Sequence, residues 1–500
     1  MNKFIYNPII LVALGICFLF AINSLYQLKQ SEEDLSTFKE TVYGSQVVIT
    51  EPKRASSGIV FIAHGFAGST SFMRPIAVAL AQAGYKTIRY DFHGHGRTPK
   101  PYRGDITTTK GATQLFLNQT NQIVDYYLDK NPSSKAVIVG HSMASDIIFR
   151  AALTNSAIMS SIGISNYTDV IEKNRPKNVL ILNGQWESHL RKKGLSILSD
   201  LGVTNPQENT IYGNIETGTA RKVTSINNAD HVGILYSRQT QKEIVHWIDR
   251  VLERESSMKT NAIGIWTALL LLSLFFTFCL VPHLLHPVQS NKFEFSFRNC
   301  FVGNLLAGTL TPLLLNFQLL PISSFPAHNY LINHLIVFSI IISLIFPHQT
   351  RHLALKNFNL GICVVLFIFY TLIFGSVLDS YVSSFYPTAG RIPLFVLLLF
   401  GCVPIAIIIQ VLHSSHEKAW IKATLTKSIL VLSLTVAIPL NIKELFLLAY
   451  AILLLIGFFF VFGFLSNYLS RRFNNPLSIG IANGATLAWI FSTALPLYIP

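Results

Sequence analysis

Beyond Lys259 the chain is a succession of apolar segments, at roughly 262–282, 299–320, 331–347, 358–377, 392–412, 427–440, 444–465 and 476–497. Each is near the ~20 residues that cross a hydrocarbon core. In such surroundings a backbone must satisfy its own polar groups, and a helix does so within one segment. Residues 260–500 are therefore expected to form an all-α transmembrane bundle of about eight helices. Another apolar segment, residues 8–26, follows the short basic start Met1-Asn2-Lys3. Ala21-Ile22-Asn23 lacks the small-x-small pattern of a cleavage site, so residues 1–30 are read as an uncleaved signal anchor.

Charge divides the chain at the same place. After Glu255 the only acidic residues are Glu294, Asp379, Glu417 and Glu444. The formal net charge of +14 would draw attention to nucleic acid if it were clustered. Residues 31 to 259 hold 26 Lys+Arg against 21 Asp+Glu, or +5, with no basic run longer than Arg191-Lys192-Lys193. Most of the surplus sits in loops between apolar segments, which is a topology signal and excludes nucleic acid as the expected partner. With Met1 in the cytoplasm, the inside loops carry Lys3, Lys292, Arg298, Arg351, Lys356, Lys418, Lys422, Lys427, Arg471 and Arg472. The short outside loops carry only Arg391 and Lys443. That asymmetry places the soluble part and the C-terminus on the extracytoplasmic side of a multi-pass cell-membrane protein. Cys17, Cys279, Cys300, Cys363 and Cys402 all lie in apolar segments, so the soluble part offers neither a disulfide framework nor a thiolate metal site.

Within residues 40–256, short β-rich runs alternate with helical stretches, the pattern of a mostly parallel sheet covered on both faces. The expected strands are Gln46–Thr50, Ile59–Ala63, Lys86–Tyr90, Ala136–Val139, Ser161–Ile164, Val179–Leu182 and Lys222–Ile226. The fourth runs straight into Gly140-His141-Ser142-Met143-Ala144 and then a helical stretch from Asp146 to Leu153. A serine on a sharp strand-to-helix turn exposes its hydroxyl at the carboxyl end of the sheet, and small residues two before and two after it permit the turn. The second strand ends in His64-Gly65-Phe66-Ala67-Gly68. Acyl transfer needs two backbone N–H donors for the oxyanion, and Phe66 and Met143 are the candidates. A base is also required; His231 follows the last strand and precedes the final helix around Gln241–Arg250. The acid is assigned to Glu187, three residues after Gly184, with Asp169 as the alternative; Asp230, adjacent to His231, reads as a loop-capping residue.

Four motifs occur in order: His64-Gly65-Phe66, Asp91-Phe92-His93-Gly94-His95-Gly96-Arg97, Gly140-His141-Ser142-Met143 and Ala229-Asp230-His231. Together they resemble the α/β-hydrolase superfamily, in particular its serine aminopeptidase and monoacylglycerol-lipase-like branch, over roughly residues 40 to 255. The resemblance implies the α/β-hydrolase fold, a catalytic Ser142–His231–Glu187 set with His64, Gly65, Gly140 and His141 in support, and no cofactor or metal. It also implies that the Asp91–Arg97 loop shapes the floor near the site. The chain departs from the branch at Ala144, where glycine is usual, and at Glu187, where Asp is commoner. Many members carry a large cap before the acid-bearing strand. Here only Asn166–Asn178 stand there, so an open site for a bulky or membrane-resident acyl substrate is expected.

In the apolar half, Asp379, Glu417 and Glu444 fall at segment ends or in loops. His413-Ser414-Ser415-His416 could present two imidazoles on one helical face, but reads as interfacial polar residues ending a helix; His328 and His334 likewise read as border residues. Three functions fit the sequence: an outward-facing esterase or lipase, or less readily an amidase or peptidase, working through an acyl-serine; a transporter or scaffold with the soluble fold as a binding module; and an acyltransferase sharing the acyl-enzyme step.

Overall fold

The computed structural model describes the chain except residues 1–6, 55, 105–107, 169, 258, 285–294, 318–319, 346–357, 416, 474 and 500. Lys3, Asp169, Lys292, Glu294, Arg351, Lys356 and His416 therefore lie outside the described residues. The chain divides into two compact units, one comprising Ile22–Leu270 with Asp379–Ser384, the other Met1–Ala21, Leu271–Leu378 and Phe385–Pro500.

The first unit is built on nine strands: β1 (Leu35–Val42), β2 (Ser45–Pro52), β3 (Ile59–Ala63), β4 (Lys86–Tyr90), β5 (Ala136–His141), β6 (Ile158–Ile164), β7 (Val179–Gly184), β8 (Ile211–Tyr212) and β9 (Arg221–Ile226). Their order across the sheet is β1-β2-β4-β3-β5-β6-β7-β9-β8. From β4 through β9 every neighbour is parallel, whereas β1, β2 and β8 join antiparallel. All seven expected strands are present, and β1 and β8 are additional. Both are edge strands: β1 has the burial of a solvated margin and pairs with β2 through the two-residue turn Tyr43-Gly44. Neither bears the apolar run that marks a buried strand. The first strand thus begins five residues before the expected domain start.

The central strands are apolar on both faces because helices cover both. Val60, Ile62, Val137, Val139, Ile162, Ile164, Leu180 and Leu182 pack with Ile76 and Leu80 of helix Arg74–Gln82 and with Ile244 and Ile248 of helix Arg238–Val251. Phe61, Ile138 and Phe149 are equally buried. At about 25 cal/mol per Å² of apolar surface removed from water, this double cover is the main stabilising term of the unit.

Among the described residues, nine helices are long and apolar enough to cross a membrane. They are Pro8–Gln30, Ile263–Leu284, Phe297–Phe317, Pro326–Ile345, Leu360–Tyr381, Ala389–His413, Ala419–Leu440, Leu447–Leu465 and Pro476–Ala494. The segment expected at 427–440 begins eight residues earlier, because Lys422 and Lys427 are incorporated into the helix, Lys422 being 2% exposed. In the second unit, Gly480 and Gly484 bring helix Pro476–Ala494 against helix Ile392–His413: a β-carbon on Gly484 would stand 2.5 Å from Val403 Cα. Small residues four apart allow such backbone approach. His328 and His334 were expected at a border. His328 lies in the first turn of helix Pro326–Ile345 and His334 two turns in; both are buried, His334 beside Tyr330 and Phe338.

Candidate active site

Ser142 sits between β5 and helix Met143–Thr154 with φ 52° and ψ −119°, a conformation that costs a non-glycine residue about 1–3 kcal/mol. The surroundings hold it there. Its N–H donates to the Ile164 carbonyl at 2.8 Å, while its carbonyl accepts from the Ser145 N–H at 2.8 Å and the Ser145 hydroxyl at 2.6 Å. Gly140 permits the turn, since a β-carbon there would lie 2.6 Å from the Ala144 carbonyl oxygen. Ala144 itself is fully buried, so its methyl is accommodated in place of the usual glycine hydrogen.

His231 follows β9 and precedes a short 3-10 turn, Gly233–Tyr236. Its Nε2 lies 2.9 Å from Ser142 Oγ, and its Nδ1 lies 2.6 Å from Glu187 Oε1. Glu187 stands just past β7, and its other oxygen accepts from the Gly184 N–H at 2.6 Å and the Ser165 hydroxyl at 2.8 Å. Burial would raise the Glu187 pKa, but hydrogen bonds from His231, Gly184 and Ser165 outweigh it and hold the carboxyl below its ordinary range. The structure thus brings Ser142, His231 and Glu187 together. Asp169, the alternative acid, lies outside the described residues. Asp230 accepts the Val232 N–H at 3.0 Å and the Gly233 N–H at 2.5 Å, closing the loop that carries His231.

Sequence reasoning did not identify Ser165. It directly follows β6, the neighbour of the acid-bearing strand, and a serine there is unremarkable until the sheet order is known.

Met143 is the first residue of its helix, where a backbone N–H has no intrahelical acceptor. A β-carbon on Gly65 would stand 3.1 Å from Ser142 Cβ, so the loop bearing Phe66 runs directly beside the nucleophile. His64 is fully buried, accepts the Phe92 N–H at Nε2 (3.1 Å) and donates from Nδ1 to the Gly65 carbonyl (2.7 Å). Its 3.9 Å approach to Asp91 is therefore not an ion pair; burial lowers the imidazole pKa and it stays neutral. Asp91 instead accepts the Thr70 N–H (2.7 Å) and the Arg97 N–H (2.9 Å), joining the segment after Gly68 to the Asp91–Arg97 loop.

His141 donates from Nε2 to the His231 carbonyl at 2.8 Å, and its Nδ1 finds no hydrogen-bond partner among the described residues. Burial, then the neighbouring His231, lower its pKa to about 3. The unfolded chain would take up this proton near 6.5, so the folded state binds fewer protons below that pH and stability falls as pH falls from about 6.5 towards about 3. The slope from this one residue is up to about 1.4 kcal/mol per pH unit. Thermal unfolding of the full chain in detergent is expected to show a shallower acid dependence for His141→Gln than for the native protein. Parallel curves would refute the assignment.

Residues 165–178 hold no helix or strand among the described residues. The His231 side chain is 47% exposed, and Tyr167, Trp186 and Val232, each adjacent to a site residue or one removed from it, are exposed apolar groups. A serine hydroxyl aligned on an imidazole that is itself aligned on a carboxylate is the arrangement for nucleophilic acyl transfer.

Residues 54–268 match the family model of serine aminopeptidase, S33. Over 112 residues the chain is 27% identical to "Putative carbamate hydrolase RutD" of Variovorax paradoxus, covering 22% of this chain and 39% of that relative, so it spans well under half of the relative's length. Among solved structures it is similar to a lipase in its open form (12% identity, TM-score 0.34), covering 44% of this chain and 100% of that one. It is also similar to a soluble variant of monoglyceride lipase from Saccharomyces cerevisiae (12% identity, TM-score 0.32), covering 45% of this chain and 96% of that one. Residues 54–268 of this chain carry a serine hydrolase domain of the α/β-hydrolase superfamily, of the serine aminopeptidase kind.

Proposed function

We propose that the chain is a membrane-bound serine hydrolase that cleaves an ester, or an amide, through an acyl-Ser142 intermediate. The alignment Ser142 Oγ–His231 Nε2–Glu187 at 2.9 and 2.6 Å carries this reading. His231 accepts the hydroxyl proton as Oγ attacks the substrate carbonyl, and Glu187 stabilises the imidazolium that forms. The Phe66 and Met143 N–H groups receive the oxyanion. His231 then protonates the leaving group and activates the water, or another acceptor, that releases the acyl group. A pure binding module has no use for a strained serine held against an oriented imidazole.

The substrate is a bulky or membrane-resident acyl compound, a reading supported by the exposed imidazole, the short 165–178 connection and the exposed side chains of Trp186 and Val232 next to Glu187 and His231 in sequence. The lipid bilayer is the other partner; no nucleic acid is involved. The hydrolase unit and the C-terminus face away from the cytoplasm, as the Lys and Arg asymmetry supports. Asp379–Ser384 belongs to the same compact unit as the sheet, which supports an even number of crossings between Lys259 and Asp379. Four candidate spans begin in that interval: Ile263–Leu284, Phe297–Phe317, Pro326–Ile345 and Leu360–Tyr381.

An impermeant fluorophosphonate probe tests both chemistry and sidedness. The native chain in intact cells is expected to label, and Ser142→Ala to remain unlabelled. Labelling only after lysis would reverse the orientation, and none in either preparation would defeat the hydrolase reading.

A further inference from the structure

Six residues distant in sequence from the hydrolase domain complete its unit. The Asp379 carboxylate accepts from Arg97 Nη2 at 2.7 and 2.6 Å, and the Asp379 carbonyl accepts the Ser71 hydroxyl at 2.6 Å. The Ser380 carbonyl accepts from Arg74 Nη1 at 2.9 Å, while the Arg74 guanidinium lies 4.5 Å over the Tyr381 ring. The Tyr381 carbonyl accepts the Tyr236 hydroxyl at 3.0 Å, and the Ser384 N–H donates to Ser69 Oγ at 3.0 Å. The gripped residues are concentrated in one turn, Ser69 to Arg74.

That turn continues directly from the His64–Gly68 loop bearing Phe66. Its Phe72 ring packs edge-on against His141, 5.8 Å between centroids, and against Tyr236 at 6.3 Å. His141 in turn precedes Ser142 and holds the His231 carbonyl. Arg97 closes the circuit, because its N–H and that of Thr70 share the Asp91 carboxylate. The Asp379 side chain is 14% exposed and Arg97 26%, so their ion pair is only partly screened.

We propose that Asp379–Ser384 is an in-chain positioning strap that fixes the oxyanion loop beside Ser142, with Asp379 as its principal positioning residue. The proposal rests on the acyl-serine reading above. The strap touches no reacting atom. Seated, it sets where the Phe66 N–H points; displaced, it leaves nucleophile and base intact but the oxyanion poorly met. The apolar half of the sequence therefore contributes to turnover as well as to attachment.

The test uses the full chain in detergent, with p-nitrophenyl acetate for steady-state kinetics, a fluorophosphonate for labelling rate, and hydrogen–deuterium exchange. The variants are Asp379→Arg, Arg97→Asp and the double exchange of the two. Loss of one oxyanion donor costs about 10²–10³ in kcat, so partial misplacement is expected to lower kcat about tenfold or more in each single variant. KM should stay within about twofold, the signature of an interaction made only in the transition state. Labelling should slow by a similar factor. The reversed pair should recover kcat to within about threefold of native, as expected for coupled partners. Exchange in residues 65–74 should quicken in the single variants while the central strands stay protected.

Unchanged kcat in the single variants, no recovery in the reversed pair, or exchange lost throughout the unit would each overturn the strap. A native chain inert to the fluorophosphonate would instead defeat the hydrolase reading, and exchange at 65–74 would then decide the strap alone: faster exchange in the single variants supports it, unchanged exchange overturns it.

Discussion

Ester hydrolysis by the Ser142→Ala and His231→Ala variants is expected to fall about 10⁴-fold or more in kcat, with the double variant no worse than the more damaged single one. On the proposed mechanism Ser142 Oγ and His231 Nε2, 2.9 Å apart, act as one unit, so removing either leaves the other without a task. The residual rate belongs to whatever the oxyanion donors and substrate binding still supply. Steady-state kinetics on a small soluble ester in detergent would check this. Additive losses in the double variant would mean that the two residues serve different steps.

Glu187→Gln is expected to lower kcat by about 10³–10⁴ while leaving the fold intact. Glu187 Oε2 accepts from both Gly184 and Ser165, so the one remaining carbonyl oxygen of a glutamine is drawn to that side. The amide NH₂ then faces His231 Nδ1, which must accept rather than donate. The proton is thereby forced onto Nε2, and an Nε2 that carries a proton cannot take the one on Ser142. Glu187→Asp should be impaired for a different reason, since a chain shorter by one methylene cannot span both the Gly184 N–H and the imidazole. Equal activity of native and Glu187→Gln proteins would show that the carboxylate is not the orienting group. In that event Asp169 would be the next residue to replace.

Strand-to-turn motifs are legible in a sequence because their demands are local. Gly140 and Ala144 must be small for reasons found within four residues of each other, and a run such as Ala136–Val139 admits burial on both faces. Seven strands were read in this way. The two edge strands were not, because a solvated margin leaves no apolar run, and Leu35–Val42 is defined by its partner across the Tyr43-Gly44 turn. The same limit applies to helix ends in the apolar half. Lys422 within helix Ala419–Ala437 looks like a loop residue until the neighbours that bury it are known.

By itself the sequence determined a mostly parallel α/β unit, the serine on its sharp turn, the loop that runs past it, the histidine after the last strand, and a set of segments apolar enough to span a bilayer. These follow from hydropathy, side-chain size and backbone stereochemistry over a few residues. Only the tertiary structure decided that Ser165 supports Glu187, that His64 is a neutral link between two loops, and that Asp379–Ser384 grips the turn after Phe66. Those contacts join residues between 22 and 315 positions apart. No local propensity encodes them, since each exists only once sheet order and chain path have brought its partners within hydrogen-bonding distance.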